Sequence, residues 1–237
     1  MKYRNEHQDG SSGSPFESSG GLRVLDIPQV RVSSASFVRI FDDLGRYALL
    51  VNKNRARKGQ LVYTPIGGAI EATSRGLREL EGLLGVTSSA FEKGNDLRFV
   101  MPGAVSNSYR EWFLSGSGRE RDPSREIIEE LVEEAELLER RDLSGLRCSL
   151  AGYDTELAET SRSGQEGQMT LRLLEIHDAT IPDRAMGRLL EASQLSGSLL
   201  RFVSSAEIAS GSTSDGAEIG TVAVSLLRPQ YTIPEFS

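Results

Sequence analysis

The residues in this sequence best suited to chemistry are the glutamates of segment 123–141, which reads PSREIIEELVEEAELLERR. On a helix at about 100° per residue, Glu126, Glu129 and Glu130 share one face and the aliphatic residues share the opposite face. Like charges four residues apart repel each other on an isolated helix. A divalent cation would offset this repulsion, because Mg²⁺ binds carboxylate oxygens. The spacing predicts a metal-binding face; the alternative is a solvated acidic face, since glutamate is a good helix former.

The helix that carries these glutamates has a well-marked start. Asp122 is a preferred N-cap residue, and Pro123 suits the first helical position. Neither glycine nor proline interrupts the pattern that follows. The sequence therefore predicts one continuous helix that runs to about Arg141.

The segments before this helix predict strands that lead to a pair of glycines. Alternating apolar residues from Ser36, a turn composition at 42–45 and an apolar run at 46–54 predict a β-hairpin. A third strand-like run, QLVYTPIGGAIE, contains Gly67 and Gly68. Consecutive glycines indicate a close approach of the backbone to a neighbour, or a positive φ.

Further elements on both sides of the acidic helix predict an α+β fold. Residues 75–84 have helical spacing, and DLRFVMP is strand-like. After the helix, LRCSLAGYDTELAE and QMTLRLLEIHDATIP predict two strands, and RAMGRLLEASQL predicts an amphipathic helix. Strands and helices in this order form layers around one core.

Two of these segments together resemble the Nudix box. Residues 67–71 read GGAIE after a strand, and residues 125–130 read REIIEE at the start of a helix. The box opens with Gly-Gly-x-x-Glu and closes with Arg-Glu-apolar-x-Glu-Glu. The chain thus resembles the Nudix hydrolase superfamily from about Ser36 to about Leu227, and the resemblance implies an α/β/α sandwich with a mixed sheet.

The resemblance also implies a set of metal ligands. Glu126, Glu129 and Glu130 would be the catalytic carboxylates that hold Mg²⁺ or Mn²⁺, and the backbone carbonyl of Gly67 would add a ligand. Arg125 would orient the carboxylates.

The resemblance further implies a substrate and a reaction. Gly68 and Glu71 would lie at the substrate, with Glu71 bracing the glycine loop. The implied reaction is hydrolysis of a pyrophosphate bond in a nucleoside di- or triphosphate derivative, in which the metal neutralises phosphoryl oxygens and activates or positions the attacking water.

The sequence departs from the box at three points. Residues 72–124 separate its two halves, where a short loop is usual, and Val132 stands where the box has a glycine. The acidic residue expected in a Gly-Glu pair just upstream of the helix is matched only loosely, by Glu120. A split box of this kind resembles divergent Nudix domains associated with bacterial antiviral systems. The alternative function is therefore a catalytically weak or inactive module that senses a nucleotide, and a third reading is a structural α+β domain.

Basic residues between the predicted strands offer a second kind of site. Arg55, Arg57 and Lys58 are candidates for contacts with substrate phosphates, although a solvated loop is also consistent with them. Glu159 and Glu166 are candidates for a general base on a late loop.

Aromatic side chains offer a third kind of candidate site, one that binds a nucleobase. Tyr63, Trp112 and Phe113 could stack on a base, but core packing is the commoner role of such residues.

Composition limits the remaining possibilities. The net charge of −7 and the pI of about 5.1 argue against a duplex-DNA binder. No apolar run approaches the roughly 20 residues of a membrane span, and the N-terminus lacks the apolar core of a secretory signal. One cysteine and two histidines argue against a disulfide framework and a zinc site. We therefore expect a cytoplasmic protein with a nucleotide-derived small molecule as partner, alone or as a homodimer.

The expected domain organisation is simple. Residues 1–28 are rich in glycine, serine and charge and predict a flexible leader. Residues 29–237 predict a single Nudix-like domain, with an ordered inserted subdomain at about 75–118.

Overall fold

A mixed β-sheet lies at the centre of the computed structural model, which describes residues 23–160 and 164–236. The strands are β1 (Val30–Arg39), β2 (Tyr47–Val51), β3 (Val62–Ala69), β4 (Arg98–Met101), β5 (Arg147–Glu159), β6 (Met169–Thr180), β7 (Leu200–Val203) and β8 (Glu218–Ile219). Their order is β5-β6-β1-β3-β2-β7, with β4 paired to β1 and β8 paired to β3.

Helices cover this sheet. They are α1 (Lys53–Ala56), α2 (Ser74–Leu84), α3 (Ser106–Ser115), α4 (Ser124–Ile128), α5 (Asp183–Ser193) and α6 (Ser205–Ser210). A π-helical turn at Glu129–Glu134 continues α4, and 3₁₀ turns lie at Val24–Asp26, Ser88–Ala90, Gly103–Val105, Arg140–Leu143 and Thr221–Leu227. The predicted α+β sandwich with a mixed sheet is confirmed.

Strand β1 organises the sheet, because three strands pair with it. Along one edge it runs parallel to β6. Along the other edge, residues 30–33 pair with β4 and residues 35–38 pair with β3. The edge changes partner at Ser34, whose N–H donates to the Leu97 carbonyl and whose carbonyl accepts from the Ile70 N–H. Residues 75–118 therefore contribute a strand to the central sheet.

Three clusters of buried apolar side chains hold the layers together. The first joins residues 75–118 to the starts of β1 and β6, the second joins α4 and α5 to the ends of β1 and β3, and the third lies under α6 and the last 3₁₀ turn. In the first cluster, Leu80, Phe99, Tyr109 and Phe113 are fully buried. Segment 75–118 thus shares its core with the rest of the domain.

The predicted hairpin between the first two strands is wrong. Beyond the turn at 42–45, β1 and β2 share only the bridge between Phe41 and Tyr47 and the hydrogen bond from Ala48 N–H to the Ile40 carbonyl. Strand β3 lies between them and pairs with both. The turn at 42–45 forms as its residue types predict. Beyond the turn and the bridge, however, β1 and β2 each pair with β3 and not with each other.

The prediction of one helix to Arg141 is also wrong. After the π-helical turn, Leu137 and Leu138 both donate their N–H groups to the Leu131 carbonyl, and Glu136 takes a φ of 54°. A positive φ outside glycine is uncommon and ends a helix. Leu138, which follows this reversal, is buried in the second apolar cluster.

The N-terminal leader expected at 1–28 lies mostly outside the described residues, which begin at Arg23. Val24 and Ile27 are buried against the first apolar cluster. No helix in the described ranges is long and apolar enough to cross a bilayer.

Candidate functional site

The site is built where the end of β3 meets the start of α4. Gly67 has a φ of 138°, and a Cβ there would lie 2.0 Å from the Ser36 carbonyl oxygen, so only glycine fits. Its N–H donates to Glu130 Oε2 at 2.9 Å. Backbone geometry that glycine alone permits thus fixes one carboxylate.

Gly68 makes room for a second carboxylate. A Cβ on Gly68 would lie 2.1 Å from Glu126 Oε2. The Glu126 side chain is therefore packed directly on the β3 backbone, and Glu126 is buried. The alternative of a solvated acidic face is therefore wrong for Glu126. It holds for Glu133, Glu134 and Glu136, which are exposed.

Arg125 holds the surrounding carboxylates together. It makes a two-pronged contact with Glu120, at 3.0 and 2.8 Å, and its Nη1 lies 3.1 Å from both Glu129 oxygens. Its Nη2 also contacts Glu126 Oε1 at 2.7 Å and the Ala69 carbonyl at 3.2 Å. One guanidinium thus connects α4, the segment before it and the end of β3.

Burial and mutual repulsion make the two inner carboxyls hard to ionise. Desolvation raises the pKa of Glu126 to about 7, with Glu129 and Glu120 adding to the rise and Arg125 opposing it. Desolvation likewise raises the pKa of Glu130 to about 8, against the hydrogen bond from Gly67 and with the charge of Glu126 adding to it. Negative charge here is under-compensated, as expected where a cation binds.

These carboxylates line a cleft of about 250 Å³. Its other wall comes from segment 75–118, which contributes Lys93, Asp96 and Arg98. A second cavity, of about 210 Å³, shares Glu130 and Glu134 with this cleft. Lys53 lines that second cavity and lies 3.3 Å from a Glu134 carboxylate oxygen, which ties α1 to the acidic helix.

The carboxylate oxygens in this cleft suit Mg²⁺ or Mn²⁺ if the substrate supplies further ligands. In the described ranges, no three His, Cys, Asp or Glu side chains converge as a ready metal cage. Glu126 and Glu130 line the cleft, while both Glu129 oxygens lie against Arg125. Mg²⁺ in nucleotide sites is commonly held by one or two carboxylates plus substrate phosphates and waters. The buried Glu126 and the half-buried Glu130 therefore suit a cation that arrives with a phosphate ligand.

The structure brings most of the sequence-predicted site residues together. The cleft is lined by Gly67, Gly68, Glu71, Arg125, Glu126, Glu129 and Glu130. The Glu71 side chain is exposed, and its carbonyl accepts from the Glu120 N–H at 2.8 Å. Arg55 and Arg57 lie apart from this cleft, on α1 and at its C-cap, where they line a neighbouring one.

Other candidates from the sequence lie elsewhere. Tyr63, Trp112 and Phe113 are buried in the core, so none offers a face to a base. Glu159 is exposed at the end of β5, and Glu166 lines the same cleft as Arg55.

Sequence reasoning missed Lys93 and Arg98 as site residues, and it placed Lys53 only in the basic stretch that also holds Arg55 and Arg57. Arg98 could have been found as a charged residue at the start of an otherwise apolar strand.

Comparison with known families agrees with this geometry. The family model described as the SMODS-associated NUDIX domain matches residues 29–227, which include every residue of the carboxylate cleft. No curated protein and no solved structure matches the chain. The chain therefore belongs to the SMODS-associated NUDIX domain family, a part of the Nudix superfamily tied to antiviral nucleotide-signalling systems.

Proposed function

We propose that this protein hydrolyses a pyrophosphate bond in a nucleoside di- or triphosphate derivative, with Mg²⁺ or Mn²⁺ as cofactor. The observation that carries the proposal is a pair of carboxylates, the buried Glu126 and the half-buried Glu130, which lie against Gly68 and Gly67. Neither has enough positive charge around it, and both open onto a cleft with cationic residues on its far wall.

Each residue has a role that its contacts support. Glu126 and Glu130 would hold the cation, which when bound neutralises phosphoryl oxygens and lowers the pKa of a coordinated water. The Gly67 N–H and the Arg125 guanidinium fix the orientation of these carboxylates. Lys93 and Arg98 lie where they would bind phosphate oxygens.

The reaction adds one water across the P–O–P bridge. The water oxygen bonds to one phosphorus atom, the bridging oxygen leaves on the other phosphate with the bonding electron pair, and the proton of the water passes to a base.

One observation favours the second candidate function, nucleotide sensing without turnover. Glu129, which the Nudix resemblance makes a ligand, has both oxygens against Arg125. A site limited to two carboxylates would still bind a nucleotide–cation complex while catalysing slowly.

The test is a phosphate-release screen with Mg²⁺ and then Mn²⁺. The panel holds nucleoside triphosphates, ADP-ribose, NAD, dinucleoside polyphosphates and cyclic oligonucleotides. Glu130→Gln should abolish turnover, and Glu133→Gln is the matched control because Glu133 is exposed and pairs with Arg140.

Turnover that the Glu130→Gln variant retains would contradict the proposed site. Binding without turnover, seen as a ligand-induced rise in Tm, would establish the sensor instead.

A further inference from the structure

A row of polar side chains crosses one face of the sheet beside the carboxylate cleft. Ser33 of β1 pairs with Arg98 of β4 on one side and with Arg172 of β6 on the other. Residues directly opposite each other on paired strands project from the same face, and adjacent strands lie about 4.8 Å apart. The row therefore sets two guanidinium-bearing residues about 10 Å apart at the backbone, with a small hydroxyl between them.

This row forms the floor of a cleft of about 860 Å³. The opposite wall is the α1 loop, which contributes Arg55, Arg57 and Lys58. With Arg31, six cationic side chains line the cleft against one carboxylate, Glu166. In a chain of net charge −7, this concentration of positive charge is local.

The floor and the wall differ in how their charges are compensated. On the floor, Arg31 pairs with Glu92, Arg98 lies 3.4 Å from an Asp96 oxygen, and Arg172 contacts Glu156.

On the wall, Arg55 donates to the neutral side chain of Gln60. Arg57 and Lys58 make no ion pair with any described residue. The wall therefore supplies most of the excess positive charge, and a positively charged cleft attracts an anionic ligand.

This cleft of cationic side chains, the basic cleft, adjoins the carboxylate site. Arg98 lines both the basic cleft and the carboxylate cleft. Asn52 and Asn54 line both the basic cleft and the 210 Å³ cavity, whose wall includes Glu130. Lys53, between these two asparagines, also donates to the Glu134 backbone carbonyl. A single extended ligand could therefore reach both sites.

The volumes of the carboxylate cleft and the basic cleft indicate which part of a substrate each could hold. Small-molecule sites commonly measure about 300–1,000 Å³, and the carboxylate cleft falls below that range while the basic cleft falls within it. The carboxylate cleft suits a metal and a pyrophosphate but leaves little room for the rest of a nucleotide. The adjoining cleft has that room, and its lining selects for anionic rather than apolar groups.

We propose that the basic cleft binds a second phosphate of the substrate, distinct from the pyrophosphate at the carboxylates. The substrate class is then a nucleotide that carries a ribose phosphate or a phosphodiester in addition to its pyrophosphate. Arg172 contacts that phosphate from the sheet, and Arg57 and Lys58 contact it from the α1 loop, while Arg98 stays with the pyrophosphate. This inference rests on the proposed function, because it places the pyrophosphate at Glu126 and Glu130.

The test measures binding to the native chain with Ca²⁺ in place of Mg²⁺, so that turnover does not interfere and both carboxylates of the site are kept. By calorimetry, we compare ATP and GTP with their 3′-phosphorylated forms, and with the 5′-triphosphorylated dinucleotides pppApA and pppGpG. The 3′-phosphorylated forms add one phosphate only, and the dinucleotides present it as a diester.

We expect the added phosphate to tighten binding by about tenfold or more, since a charged hydrogen-bonded contact is typically worth that much. If the 3′-phosphorylated nucleotides gain more affinity, the cleft binds a phosphate monoester. If the dinucleotides gain more, it binds a phosphodiester.

Arg172→Gln and Arg57→Gln should each remove most of the gain from the second phosphate while leaving ATP and GTP affinity nearly unchanged. Arg75→Gln is the matched control, because Arg75 is exposed on α2 and lines no part of the cleft. Equal affinity for matched ligands with and without the second phosphate would overturn the inference, as would a gain that both cleft variants retain. Failure of every ligand to bind would also overturn it.

The same measurements separate this inference from the proposed function. If the native chain hydrolyses nucleotides but the second phosphate adds no affinity, the inference fails and the hydrolase stands. If the second phosphate adds affinity through Arg172 and Arg57 while no ligand is turned over, the inference stands and the protein is a sensor.

Discussion

The carboxylate of Glu126 occupies the space in which a side chain at residue 68 would begin. An added Cβ at Gly68 would lie 2.1 Å from Glu126 Oε2 and 2.6 Å from its carboxyl carbon. The atoms that this Cβ would meet all belong to the Glu126 carboxyl group, and none of them belongs to the backbone. A larger residue at 68 would therefore move the carboxylate without breaking the sheet.

We expect Gly68→Ala to fold and to lose turnover by about 100-fold or more, because a shift of roughly 1 Å in a catalytic group can cost that much. Circular dichroism and phosphate release measure the two effects separately. Gly67→Ala should instead fail to fold stably, since its Cβ would meet the Ser36 carbonyl at 2.0 Å.

Gly82→Ala is the control for these glycine substitutions. Gly82 lies inside α2 with open space around it, so alanine there should stabilise the protein by about 0.5–1 kcal/mol. A Gly68→Ala variant with native turnover would contradict the assignment of Glu126 to the site.

The raised pKa of Glu130 makes the metal-free protein less stable at high pH. Its folded-state pKa of about 8 exceeds the ordinary value, so the folded state holds a proton that the unfolded state has released. The free energy of unfolding should then fall as pH rises from about 4.5 through about 8. Glu126, with a pKa of about 7, acts in the same direction.

We therefore expect Glu130→Gln to be more stable than the native chain in EDTA at pH 8.5, by on the order of 1–3 kcal/mol, and nearly equal at pH 5. The glutamine carbonyl can still accept the Gly67 N–H. Thermal unfolding at both pH values measures the difference.

Adding Mg²⁺ should reverse the order at pH 8.5, because the cation binds the native carboxylate and not the amide. Glu133→Gln, on the exposed side of the helix, should show no such pH-dependent gain. A Glu130→Gln variant that is less stable in EDTA at pH 8.5 would show that the carboxylate is already compensated.

Arg125 positions the carboxylates through its planar guanidinium, which a lysine cannot reproduce. An ammonium group is a point charge and cannot reach Glu120, Glu129 and the Ala69 carbonyl at once. We expect Arg125→Lys to raise the Mg²⁺ concentration needed for half-maximal turnover by about tenfold and to lower kcat.

The measurement is a Mg²⁺ titration of phosphate release, with Arg140→Lys as control, since Arg140 is exposed beyond the helix. A variant that loses stability but keeps the native Mg²⁺ dependence would reduce Arg125 to a structural role.

The sequence alone predicted the two halves of the site because each half is local. The glycine pair and the spacing of Glu126 and Glu130 lie within single elements, and their rules apply over a few residues. The elements that meet across the sheet were harder to foresee. Insertion of β3 between β1 and β2 depends on pairing energies between distant segments.

The cationic wall of the site was missed for the same reason. Lys93 and Arg98 line the carboxylate cleft because β4 pairs with the first half of β1. The early end of the acidic helix was not predicted either, because the turn at Glu136 contains neither the glycine nor the proline that usually marks a helix end.

A buried ion pair joins Arg119, which directly follows segment 75–118, to Glu175 of β6. Arg119 Nη2 lies 2.6 Å from Glu175 Oε1, and both side chains are almost fully buried. Arg119 also stacks over the ring of Phe113, donates to the Phe113 carbonyl and donates to the Glu120 carbonyl. Burial acts to raise the pKa of Glu175, but hydrogen bonds from His177 and Arg119 outweigh it and leave that pKa below its usual range.

We expect Arg119→Met to destabilise the protein by about 3–5 kcal/mol at neutral pH, because it leaves the Glu175 charge buried without its partner. Urea unfolding measures the loss. Adding Glu175→Gln should recover part of it, since the amide needs no counter-ion, and the recovery identifies the buried charge rather than lost packing as the cause. If the double variant is no more stable than Arg119→Met, the stacking of Arg119 on Phe113 is the larger contribution.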